Sequence, residues 1–233
     1  MNTTSQPDFT YDHQDGSAAI REGTFLSKVL FFFGLAIAIS AAGTFIGFQY
    51  LSSLFIKNPT ITLVFFAVEL ILVFTSRIWS TRRPLNYILF ATFAFVTGLT
   101  LAPLLLSYIL QFGGPAIIIK AFLATTFTFT AAAIVGLVSQ RSFTGLGGFL
   151  TMTLIGMIVV SVIGIFIPWS NTFEMIFSGI GVVLFTGFTI YDISRLKHYP
   201  PDRYIDAALN LYLDIFNLFL YILRLIAGVS RRN

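Results

Sequence analysis

The sequence predicts an all-α integral membrane protein of seven transmembrane helices, and three observations predict it. Hydrophobic residues make up 56% of the 233 and charged residues only 10%, against about 25% charged in a soluble domain. The apolar residues gather into seven windows, each long enough to cross a hydrocarbon layer, which takes about 20 helical residues. Proline and glycine pairs punctuate the gaps between those windows.

Residues 1–25 are polar, with Asp8, Asp12, Asp15 and Glu22, and read as a flexible tail. The membrane domain then runs over 26–227, with windows at 26–48, 61–79, 86–109, 116–138, 146–167, 173–193 and 207–227. The first run is too long for the core of a signal peptide and is taken as a retained helix. Asn58-Pro59, Arg83-Pro84, Gly113-Gly114-Pro115, Pro168 and Pro200-Pro201 mark the breaks, and Pro103 is expected to kink the third helix. Barrel strands are excluded by run length, since a spanning strand needs only about 10 alternating residues. Small residues (Gly34, Ala38, Ala42; Gly156, Gly164; Gly179, Gly181) would permit close helix contact, although membrane helices also simply tolerate glycine. Residues 228–233 form a short basic C-terminus.

With the N-terminus inside, nine basic residues flank the inner face: Arg21, Lys28, Arg77, Arg82, Arg83, Arg141, Arg195, Lys197 and Arg203. Five (Lys57, Lys120, Arg224, Arg231, Arg232) flank the outer one. Basic residues accumulate on the cytoplasmic side, so a cytoplasmic N-terminus is expected, although the basic C-terminus opposes it. The absence of cysteine excludes disulfides, zinc–thiolate sites, haem attachment and thiol catalysis. A net charge of +4 does not suggest nucleic acid, and Gly145-x-Gly147-Gly148 lacks the strand and lysine of a phosphate loop.

Charges inside a bilayer are costly enough to count as functional candidates. Glu69 lies in the second window, Asp214 in the seventh, Asp192 at the inner end of the sixth and Arg77 at the inner end of the second. On the seventh helix, Asn210, Asp214, Asn217, Tyr221 and Arg224 recur at helical spacing and form one polar stripe. Such a stripe cannot face lipid, so this helix should be central. Interhelical hydrogen bonding would account for Asn210 and Asn217, but a lone carboxylate needs a partner or a proton. Asp192 could supply the partner, or it could be a surface acid pairing with Arg195 one turn on.

Ile190-Tyr191-Asp192, Lys197-His198 and the run Ala208-Leu209-Asn210-Leu211-Tyr212-Leu213-Asp214-Ile215-Phe216-Asn217-Leu218-Phe219 resemble the C-terminal signature of the Bax inhibitor-1 family, its bacterial members above all. Phe93-Ala94-Phe95-Val96-Thr97-Gly98-Leu99-Thr100 in the third helix is also similar to them. The resemblance implies six helices wrapped around a central seventh, and a pH-sensitive calcium leak channel in the bacterial cytoplasmic membrane. It implies that Asp192 and Asp214 form the family's aspartate pair and that Glu69 is its second-helix acid. The family also carries an arginine late in the second helix that can pair with the aspartates. An ungapped comparison puts Ser80 near that place, so Arg77, one turn earlier, is the candidate gating partner.

Two carboxylates close together in a low dielectric cannot easily both ionise and should share a proton near neutral pH. Deprotonation would recruit a cation, either Arg77 or calcium, which favours oxygen ligands. Glu69 would be a second stop for ions or a protonated hydrogen-bond donor. The expected partners are therefore lipid, protons and calcium as a transported ion, with no organic cofactor and no catalytic role. Two alternatives remain. One is a regulator that binds a membrane protease or the cell-death machinery, a role also known among the family's members. The other is an intramembrane aspartyl protease, for which Tyr191-Asp192 fits but Leu211-Tyr212-Leu213-Asp214 lacks the Gly-x-Gly-Asp of that class. No lysine in the seventh helix means no retinal attachment, and His13 and His198 both fall outside the windows.

Overall fold

A computed structural model describes residues 10–139 and 143–231. Residues 1–9 of the expected tail, Arg141, Arg232 and Asn233 lie outside the described residues. Every regular element is helical among those described. Helix α1 (Thr10–Ile46) passes through a π-helical turn at Gly47–Leu51 into α2 (Ser52–Lys57), followed by α3 (Pro59–Phe74), α4 (Ser76–Trp79) and α5 (Leu85–Phe112). Then come α6 (Ala116–Val138), α7 (Thr144–Phe166), α8 (Asn171–Arg195) and, after a 3-10 turn at Leu196–His198, α9 (Tyr204–Ser230). Six stretches are long and apolar enough to cross a membrane: Gly23–Leu51, Leu85–Phe112, Ala116–Val138, Gly145–Gly164, Asn171–His198 and Tyr204–Ser230. The chain is therefore an integral membrane protein by length and composition, and large side chains such as Phe31, Phe74, Phe127, Phe149 and Phe166 stand exposed on its flanks, where lipid would meet them.

The second window departs from expectation. In place of one continuous helix over 61–79, the chain forms α3 and α4 with a break at Thr75. Side chains bond the backbone at the break: the Thr75 hydroxyl donates to the Ile71 carbonyl at 2.6 Å, and the Trp79 indole N–H reaches back to the Leu72 carbonyl at 3.1 Å. The Ile71 carbonyl accepts the Thr75 backbone N–H as well, at 3.0 Å, so the hydroxyl shares an acceptor with the ladder. The segment nevertheless runs back along the bundle, because α1 and α5 lie parallel. Phe32 stacks on Tyr87 at 5.4 Å, the Thr44 hydroxyl donates to the Gly98 carbonyl at 3.0 Å, and Gly47 faces Ala102. Two parallel neighbours need a connection that returns the full height.

Three boundaries also shift. Helix α1 begins at Thr10, inside the stretch expected to be a loose tail; once the apolar part of a helix is formed, extending it costs little. Helix α9 spans Tyr204–Ser230 rather than 207–227, so it takes in part of the expected C-terminal segment. Its start is anchored by Tyr204, whose hydroxyl accepts from Arg83 Nη2 at 2.8 Å and lies 2.6 Å from the Tyr87 hydroxyl. Elsewhere the breaks fall as read: α5 stops at Gly113, which takes a left-handed φ of 70° as its cap, and Ser170 caps α8 by accepting from the Phe173 N–H.

Helix α9 packs against α1, α5, α6 and α8, while α3 packs on α5 and α7 on α8. The last helix is central, as its stripe implies. Six helices do not all wrap it at first hand, however: α3 and α7 rest mainly on the inner helices rather than on α9.

Candidate functional site

Helices α8 and α9 form an antiparallel pair. At one end Asn171 Nδ2 donates to the Gly228 carbonyl at 3.3 Å, and midway Gly181 lies against the Tyr221 ring, where any Cβ would overlap ring carbons. That register carries Asp192, near the end of α8, toward Asp214 on α9. Both side chains are buried, at 7% and 4% exposure, and the Asp192 carboxyl acts electrostatically on Asp214. The Asp214 Oδ2 is fully buried with no hydrogen-bond partner. Burial of Asp192 is helped by Gly136 of α6, where a Cβ would press on the Ile190 carbonyl and the Ile193 side chain. The surface-acid alternative for Asp192 does not describe this geometry. Arg195 turns instead to Tyr191, donating to its hydroxyl at 3.0 Å, and its guanidinium lies over the Tyr191 and Tyr199 rings. Among the described residues the ion pairs within 4.0 Å are Arg203–Asp206 at 3.6 Å and Arg231–Glu174 at 3.7 Å.

The rest of the stripe divides by partner. Asn210 Nδ2 donates to the Tyr199 hydroxyl at 3.0 Å, while Asn217 Nδ2 bonds the Leu213 carbonyl of its own helix at 2.8 Å. Tyr221 stacks on Phe185 at 5.7 Å, and Arg224 is exposed with its guanidinium over the Tyr221 ring. Burial pushes the Tyr199 phenol up to about 12, the Asp192 charge adds to this, and Arg195 and the Asn210 hydrogen bond oppose it. Tyr199 therefore stays neutral at physiological pH.

Glu69 of α3 does not join the pair. It is partly buried against α5, where the Thr100 hydroxyl donates to its Oε1 at 2.6 Å. Arg77 is exposed and lines a cavity of about 600 Å³ with Ser76, Arg195, His198, Tyr199, Pro200, Arg203, Asp206 and Asn210. Ser80, the ungapped alternative, is completely buried with an unpartnered hydroxyl. Among the described residues no cluster of three or more His, Cys, Asp or Glu side chains gathers as a metal site. Sequence reasoning missed the Tyr204 cluster, where Arg83, Tyr87 and the Lys28 ammonium (5.5 Å from the ring centroid) converge. Its only signal was a tyrosine just after Pro200-Pro201, beside a basic flank.

A bundle of membrane-length helices around a C-terminal helix, with two buried carboxyls within electrostatic reach of each other, defines a polytopic membrane protein with acidic groups inside it. The chain matches over residues 22–232 the family described as inhibitor of apoptosis-promoting Bax1, and it belongs to that family, the Bax inhibitor-1 family. It is similar to mouse protein lifeguard 4, 31% identical over 231 residues that cover 97% of this chain and 94% of that protein. The Golgi anti-apoptotic protein of vaccinia virus (strain Lister) is 32% identical over 231 residues, 97% and 95% of the two chains. Bax inhibitor 1 of Schizosaccharomyces pombe is 31% identical over 177 residues, 76% of this chain and 64% of that one.

Proposed function

We propose that the protein is a pH-sensitive calcium leak channel, with seven crossings, an N-terminus in the cytoplasm and a place in a bacterial cytoplasmic membrane. The observation that carries this reading is the buried pair: Asp214 has a carboxyl oxygen with no donor and Asp192 as its charged neighbour. A buried, unpartnered carboxylate oxygen costs about 1–3 kcal/mol or more, so the pair needs a proton or a cation. A shared proton leaves one net charge between the two carboxyls. Losing it leaves two, and these draw either Arg77, which lines the cavity at the α8–α9 connection, or a calcium ion, for which two carboxylates and nearby carbonyls make a weak site suited to passage.

The sign follows. Protonation weakens the hold on Arg77 and opens the mouth; raising the pH strengthens that hold and closes it. Calcium flux into proteoliposomes should therefore be faster on the acid side of the pair's titration. The variant carrying both Asp192→Asn and Asp214→Asn should lose that dependence. A double variant whose flux follows pH as the parent's does would remove the pair from the mechanism.

Glu69 acts in this reading as a mid-depth hydrogen-bonding acid. Thr100 has one hydroxyl proton, with Glu69 Oε1 at 2.6 Å and the Thr97 carbonyl at 3.1 Å as acceptors. A protonated Glu69 can donate to Thr100 while Thr100 donates to Thr97. No catalytic step belongs to the reading; cleavage of a membrane-segment reporter, lost on either Asp→Ala change, would reverse that. A second role is that of a binding regulator of a membrane protease or of cell-death proteins; the relatives' printed names, Bax inhibitor 1 and Golgi anti-apoptotic protein, support the cell-death part of it. Its test is a pull-down with the whole chain against one lacking residues 1–25.

A further inference from the structure

We propose that the cavity between α4 and the α8–α9 connection binds a phosphate-bearing anion through Arg77, Arg195 and Arg203. Arg77, Arg195 and Arg203 line its about 600 Å³ together with His198, and Asp206 is the one acid in the lining. Asp206 is engaged by Arg203 at 3.6 Å, and Arg195 has one N–H directed to Tyr191. Arg77 takes part in no ion pair within 4.0 Å among the described residues. Each guanidinium carries five N–H donors, and the lining sets three arginines against one carboxylate. Like charges gathered round one space repel, and an anion with several acceptor oxygens offsets that repulsion.

A phosphate has more acceptor oxygens than a carboxylate and so meets the forks of more than one guanidinium. The space is of the size that holds a whole small ligand. The 27-residue α9 also starts at this lip, with its N-cap Arg203 and first-turn Asp206 in the lining, and the positive end of a helix favours negative charge. The cavity sits where apolar helices end, so the phosphate could belong to a lipid headgroup or be free in solution.

One consequence rests on the leak reading, though the binding itself does not. Arg195 is three residues from Asp192, and an anion bound at the arginines would lower the repulsion a cation meets on its way to the pair.

The test uses the full chain in detergent, with phosphatidylglycerol counted by native mass spectrometry against phosphatidylcholine, and inorganic phosphate titrated calorimetrically. The parent should retain phosphatidylglycerol in preference to phosphatidylcholine, or bind inorganic phosphate; the first result assigns the site to a headgroup and the second to a soluble anion. Arg77→Gln with Arg203→Gln should weaken binding about tenfold or more, and Arg82→Gln, an exposed arginine outside the cavity lining, should leave it within about twofold. Arg77→Gln alone, with its melting temperature matched to the parent's, repeats the test should the double variant unfold. Binding of neither probe, parental binding by the cavity variants, or an equal loss in Arg82→Gln would overturn the site. Flux assays of the same variants report on the leak reading separately.

Discussion

A carboxyl group at membrane depth is decided by its immediate neighbours, and the three acids here have different ones. Asp214 has a buried oxygen without a donor, Asp192 is buried and acts on it electrostatically, and Glu69 has a hydroxyl at 2.6 Å. The last contact is testable by itself. Thr100→Val keeps the shape of the side chain and removes the hydroxyl, so it should cost about 1–2 kcal/mol, the loss of a buried hydrogen bond, read as a lower melting temperature in detergent. Glu69→Gln keeps an oxygen for Thr100 and should cost less; equal losses would mean that packing rather than the bond holds α3 to α5. Asp214 could be read from the sequence because helical spacing alone put it among polar residues on an otherwise apolar helix. The burial of Asp192 could not, because it depends on Gly136 of another helix and on Arg195 turning to Tyr191. Both are facts of packing, which spacing does not encode.

Between elements, small residues set how closely helices approach, and their partners decide which of them count. A Cβ on Gly98 would overlap the Ser40 carbonyl oxygen of α1, and one on Gly43 would overlap that of Phe95. Backbone lies against backbone here, with no flexible side chain to yield. Gly98→Ala must push α1 from α5 and should destabilise by about 1–3 kcal/mol, as overpacking does. Gly156→Ala, with nothing within 4 Å of the new methyl, should leave the melting temperature nearly unchanged. Thermal unfolding of both in the same detergent checks the contrast; a Gly98→Ala protein that melts with the parent would mean that the crossing is loose. Of the glycines the sequence offered as contact sites, Gly164 meets Trp169 and Gly181 meets Tyr221, whereas Gly34, Gly156 and Gly179 meet nothing. Composition thus reveals that close contacts exist, but only the helix directions reveal where. The break at Thr75 was hidden as well: threonine and tryptophan are ordinary in an apolar run, and the same threonine-to-carbonyl bond sits inside the unbroken α5 and α8.

For the whole molecule, the number of crossings turns on the segment from Pro59 to Trp79. Helices α1 and α5 are parallel neighbours, and the start of α5 lies level with the Lys28 part of α1, where Lys28 and Arg83 both lie over the Tyr204 ring. The chain leaves that end through α1 and returns to it before α5. At 1.5 Å per residue, helical residues from 59 to 79 reach about 30 Å, the thickness of a hydrocarbon core. This makes the return a seventh crossing in our reading, with a hinge at Thr75 that takes its two pieces below the length of a single spanning helix. A natural advantage of the sequence allows a direct test. The chain has no cysteine, so Lys57→Cys and Arg82→Cys, at exposed positions either side of the segment, each place one thiol on an otherwise unreactive protein. In intact cells, a membrane-impermeant maleimide should label the cysteine at 57 from outside and leave that at 82 unlabelled until the cells are opened. Labelling of both from one side would make the segment a re-entrant loop. It would bring the crossings to six and put both ends of the chain on the same side of the membrane.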